Sequence, residues 1–104
     1  MKAVAKAVAK YVKGMSVWIP CEVKRGPFPN ERRVLVKTDM SEWFGFVNVL
    51  ELEKRVETGS DRVRAIVVAV ELDHVVVAVR GQSPASGEIQ AKPSLIEGGT
   101  ALEA

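Results

Sequence analysis

Residues 62–81 read RVRAIVVAVELDHVVVAVRG, two valine-rich runs on either side of a polar Asp73-His74 turn. Runs of this kind around a short polar turn predict a β-hairpin. In the first run Val63, Ala65, Val67 and Ala69 share one side, and Ile66, Val68, Val70 and Leu72 share the other. The second run repeats this, with Val75, Val77 and Val79 against Val76 and Ala78. A strand with one solvated face alternates apolar and polar residues. This hairpin is apolar on both faces, so both need cover. The expected cover is an N-terminal helix, a second subunit, or both. Ile66, Val68 and Val70 are the candidate homo-oligomer interface, as a dimer or higher state.

Upstream, Val17, Ile19, Cys21 and Val23 alternate with Trp18, Pro20, Glu22 and Lys24, which predicts a first strand. Pro20 places it at an edge or a bulge. Residues 25–30, RGPFPN, form a turn cluster. A second strand over 32–38 turns Val34 and Val36 inward. A third run over 43–53 carries Phe44, Phe46, Leu50 and Leu52 in phase, and its end, 49–55, reads equally as a short helical turn. Residues 57–61, ETGSD, make a turn before the hairpin. Downstream, 82–87 form a loop, 88–92 a short last strand, and 93–96 one helical turn.

At the other end, residues 2–13 read KAVAKAVAKYVK. Ala and Lys favour helix. Val4, Val8 and Val12 form one stripe and Gly14 is a suitable C-terminal cap. A helix this short needs a surface to pack on. Its apolar face lacks the bulky anchors of membrane-interfacial helices. The expected organisation is an N-terminal amphipathic helix over 1–14, a small β-barrel over 15–97 and a tail over 98–104. Met15 directly precedes the first strand, so residues 1–14 also read as an extension to a complete barrel.

The 104 residues are 47% apolar and 27% charged, with a net charge of +2, as befits one ordinary domain. The abundance of valine favours strands. One cysteine excludes an intrachain disulfide. No apolar run is long enough to span a membrane, and the lysine-studded N-terminus does not read as a secretory signal. The expected location is cytoplasmic.

The segment Trp43-Phe44-Gly45-Phe46-Val47-Asn48, with Leu50 and Leu52 beyond, resembles the late-strand region of SH3-like small barrels. The resemblance covers about ten residues. The acidic, tyrosine-containing segment of peptide-binding SH3 domains is missing, since Tyr11 is the only tyrosine, so peptide binding is not implied. An oligonucleotide-binding barrel fits the strand count as well. The fold expected is all-β, a small SH3-like or OB-like barrel of five to six antiparallel strands with one short N-terminal helix.

One histidine and one cysteine, far apart in sequence, do not make a metal site. Cys21 sits on the apolar phase of a strand, as a small buried hydrophobe does. No nucleophile elbow or phosphate-cradling glycine loop is present. No catalytic residue, metal or cofactor is expected. The remaining constellation is basic and aromatic: Lys24, Arg25, Phe28, Arg32 and Arg33 around the Gly/Pro turn, with Trp43 on a nearby strand. Single-stranded nucleic-acid binders pair cations with phosphates and stack bases on aromatic faces. The expected function is a non-enzymatic binding or assembly module, with single-stranded nucleic acid or a protein as partner. The alternative is a small enzyme whose active site forms at a homo-oligomer interface.

Overall fold

The structure is a computed structural model that describes residues 10–81 and 87–97. Six strands build it: β1 (Ser16–Arg25), β2 (Glu31–Lys37), β3 (Glu42–Asn48), β4 (Gly59–Val70), β5 (Val75–Val79) and β6 (Glu88–Ala91). A 3-10 turn, Val49–Glu51, follows β3, and a five-residue helix α1 (Pro93–Glu97) follows β6. All pairings are antiparallel, in the order β3-β2-β1-β4-β5-β6. Strands β1, β2 and β3 form a meander, and β4 returns to lie beside β1, which is a Greek key.

The first strand holds this together because it serves two ladders. Residues 16–23 pair with β4, while Glu22 to Arg25 pair with β2. Pro20 lies where only the β4 ladder is present, so its missing N–H leaves the β2 ladder intact.

The period-two pattern sends Val17, Ile19, Val23, Val34, Val36, Val63, Val67, Val75 and Val77 into one core with at most 2% exposure. Fully burying a valine-sized side chain contributes roughly 1.5–3 kcal/mol. This shared interior, rather than any one ladder, stabilises the barrel.

The sheet nearly closes on itself at both ends. At one end Gly81 presses so near β3 that an added Cβ would stand 2.5 Å from the Phe46 carbonyl oxygen. At the other, the β2–β3 turn reaches β6. The Thr38 hydroxyl donates to Gln90 O at 2.7 Å, and Gln90 N donates to Ser41 Oγ at 2.9 Å. Lys92 pairs with Asp39 across the same seam at 2.9 Å and holds that carboxyl below its usual range.

The N-terminal helix is corrected where it can be seen. Residues 2–9 of the expected helix lie outside the described residues, and residues 10–13 are not helical. Tyr11 is buried in the core, and Gly14 turns the chain with φ +93° before β1 begins. The cap geometry expected of Gly14 is there, but no described helix precedes it. The predicted tail from residue 98 onward also lies outside the described residues. No described helix is long and apolar enough to cross a membrane.

Candidate functional site

Because Val34 and Val36 face the core, Arg33, Leu35 and Lys37 must face out. Strand β3 follows the same logic. Trp43, Gly45 and Val47 point inward, and Phe44 and Phe46 point outward. The ladders then set these side chains in rows. Lys24 of β1 stands opposite Arg33, which stands opposite Phe46. Glu22, Leu35 and Phe44 make the next row. Lys37 and Glu42 make a third, and Glu31 and Asn48 a fourth at the other end.

This surface has the parts of an interaction face. Phe44 is 48% exposed and Leu35 37%. Lys24, Arg33 and Lys37 form no ion pair among the described residues. Charge on the face is mixed. Glu22 is drawn toward β4, where it accepts a hydrogen bond from the Ser60 hydroxyl at 3.1 Å. Phe28, at the tip of the β1–β2 loop, is 63% exposed and lies at one end of the face.

The six residues expected from sequence at this site divide evenly. Lys24, Phe28 and Arg33 are exposed. Arg25 is also exposed, but Glu57 pairs with its guanidinium, with Nε donating to Oε1 at 2.7 Å. Arg32 is engaged structurally. Its Nε donates to Val56 O at 3.1 Å and its Nη1 to Pro29 O at 2.8 Å, tying the β1–β2 loop to the segment after β3. Trp43 is 2% exposed and lies in the core, so it offers no surface to a ligand. Its indole N–H has no hydrogen-bond partner among the described residues.

Sequence reasoning missed Phe44 and Phe46 as surface residues and missed Asp61. The Asp61 carboxylate is buried at 4% exposure. It accepts from Lys54 N at 3.0 Å, Val56 N at 3.1 Å and Arg62 N at 2.7 Å. Those bonds fix the turn that carries Arg55 in the left-handed region at φ 58°. The neighbouring Arg62 grips Glu53 with two parallel bonds of 2.8 and 2.5 Å. Cys21 is buried, and desolvation pushes its thiol up to about 12, with Asp61 and Glu22 adding to the shift. A thiol held neutral in this way is a poor nucleophile.

The expected oligomer interface is distributed differently. Ile66 and Val68 are half-buried on the outer side of β4, but a bulge between Val67 and Ala69 shifts the phase, so Val70, 38% exposed, stands opposite core-facing Val75 and not on the face of Ile66. Beside them lies a concavity of about 650 Å³ lined by residues that include Met40, Val68, His74, Val76 and Gln90. The Asp73 carboxylate lies 2.7 Å from His74 Nδ1, and that contact holds the Asp73 carboxyl below its usual range.

Comparison with protein-family models, with curated proteins and with solved structures finds no match.

Proposed function

We propose that this chain is a non-enzymatic binding module that holds single-stranded nucleic acid across the outer face of β2 and β3. The observation that carries the reading is the exposed row structure of that face. Phe46 shares a row with Lys24 and Arg33, Phe44 lies between that row and the one that holds Lys37, and none of the three cations has an ion pair among the described residues. Aromatic faces stack bases and cations meet phosphates, with little sequence preference. The strand order adds support. Oligonucleotide-binding barrels are Greek-key barrels that use the β2–β3 face and the β1–β2 loop for ligand. Here that loop carries exposed Phe28.

The test is fluorescence anisotropy with a labelled single-stranded 12-mer at low salt. Binding should weaken with added salt as counterions are released. Phe44→Ala should weaken it markedly while leaving the fold intact. No binding to any oligonucleotide at low salt would reject the reading in favour of a protein partner that uses Phe28 and Phe44 as anchors.

We also propose that the chain self-associates through Ile66, Val68 and Val70. The support is the aliphatic outer surface of Ile66, Val68, Val76 and Ala78, with Val70 and Leu72 beyond the bulge exposed at 38% and 88%. Sedimentation showing only monomer at high micromolar concentration would defeat this.

A further inference from the structure

Beyond general stacking, one end of the β2–β3 face has the makings of a base-reading pocket. A concavity of about 200 Å³ lies there, lined by Asn30, Glu31, Phe46, Val47, Asn48 and Gly81. Drug-sized ligands occupy roughly 300–1,000 Å³. This pocket is below that range and suits one planar ring. Three of its residues share the outer face. Glu31 and Asn48 stand directly opposite each other in the ladder, where Cβ atoms are roughly 4.5–5.5 Å apart. Phe46 precedes Asn48 by two residues on the same side of β3.

The polar groups have fixed roles. Asn48 Oδ1 accepts from Leu50 N at 2.9 Å. That bond turns the amide nitrogen, with its two donors, away from the 3-10 turn. Glu31 is half-buried, and its carboxylate has no hydrogen bond or ion pair among the described residues. An ionised carboxylate only accepts. The pocket therefore offers two acceptor oxygens beside an N–H donor, with an aromatic ring for stacking.

We infer that Glu31, Asn48 and Phe46 form a subsite that selects guanine in a single strand. Guanine alone presents two adjacent donors, N1–H and N2–H, next to an acceptor, O6. The carboxylate takes the two donors and the Asn48 amide donates to O6. Thymine and uracil place a carbonyl oxygen where the second donor is needed. Cytosine and adenine place a ring-nitrogen acceptor against the carboxylate. Single strands are read in this way, on Watson–Crick edges of bases stacked against aromatic rings.

The inference rests on the nucleic-acid reading of the face, and one experiment separates the two. Anisotropy titrations would compare oligothymidylate 12-mers with a single central guanine, hypoxanthine, adenine, cytosine or thymine. The wild type should prefer the guanine strand by about tenfold, as for a good bidentate contact. Hypoxanthine lacks the N2 amine and should lose much of that preference. Glu31→Gln should bring the guanine-to-thymine ratio close to one. Asn48→Ser keeps an oxygen to cap Leu50 N but removes the amide donors, and it should lower the same ratio. The ratio, unlike the affinity, is insensitive to the charge that Glu31→Gln removes. Equal binding of all five strands overturns the subsite and leaves the face. A guanine preference that both variants retain overturns the assignment to these residues. No binding to any strand overturns the face and the subsite together.

Discussion

The outer face of β2 and β3 and the outer face of β4 and β5 cover the same valine core, yet they are built differently. The first mixes rings with charges: Phe44 and Phe46 lie among Lys24, Arg33 and Lys37, with Glu22 and Glu42 on the same face. The second is aliphatic in its middle, with Ile66, Val68, Val76 and Ala78. Rings and charges have direction. They favour particular stacking planes and particular donor and acceptor positions. Aliphatic side chains respond only to shape and to removal from water. One barrel thus carries a face suited to reading a chemically patterned ligand and a face suited to packing against another protein surface.

The comparison breaks most visibly at the inside–outside boundary of β3. Trp43→Ala empties a core position and should cost about 3–5 kcal/mol in urea unfolding. If Trp43 were a surface platform, stability would barely change and only binding would fall. On the aliphatic face, Val68→Lys should convert an associated form to monomer by sedimentation. Each buried side chain of that size contributes roughly 1.5–3 kcal/mol. An unchanged sedimentation profile would remove this face from the assembly.

Phe44→Ala sharpens the contrast with its neighbour Trp43. It should cost about 1–3 kcal/mol of oligonucleotide affinity and less than about 1 kcal/mol of stability, the scale of a cross-strand pair. A smaller effect is expected from charge. With three cations meeting phosphates, the slope of log affinity against log salt should be about −2. Replacing Arg33 and Lys37 together should flatten it to about −0.7. A slope that stays the same places the phosphates elsewhere.

The smallest effect concerns the interior both faces share. The Cys21 thiol is raised from 9.0 to about 12 in the fold. The neutral thiol is the form the native state accommodates, so its contribution is constant below about pH 9. It is lost as pH rises from there toward 12, where the unfolded chain has released a proton that the native chain retains. Stability between pH 6 and 8 should carry no signature of this group. Iodoacetamide at pH 8 should label Cys21 slowly in native protein and readily in urea. Fast native labelling would show the core open at β1.

Most strands were legible because Val17, Ile19, Val34, Val36 and the hairpin valines alternate cleanly. Strand β3 was the exception in phase. Trp43 and Val47 on one side compete with Phe44 and Phe46 on the other, and periodicity alone cannot rank two apolar faces. The ladder decides it, by setting Trp43 opposite Val36 and small Gly45 opposite Val34. Arg32 misled for a similar reason. In sequence it is one more cation beside Arg33, and its carbonyl partner Val56 is distant along the chain. Asn48 did leave a local signal, an Asn ahead of a helical turn where it caps a backbone N–H. Its pairing with Glu31 needs the register and could not be read from either residue alone.

The shared strand β1 also bears on how the chain is made. The meander of β1, β2 and β3 closes through short turns and is complete by Asn48. Its valine underside has no partner until β4 returns to pair Ser16 with Ile66. Contacts so far apart in sequence form slowly. At ~5–20 residues per second, the ribosome needs on the order of seconds to supply residues 49–70. For that interval the valines of β1 and β2 are without the β4 residues that cover them, and exposed apolar surface of this kind is what chaperones recognise. The strand that unites the finished barrel therefore also sets its most vulnerable moment during synthesis.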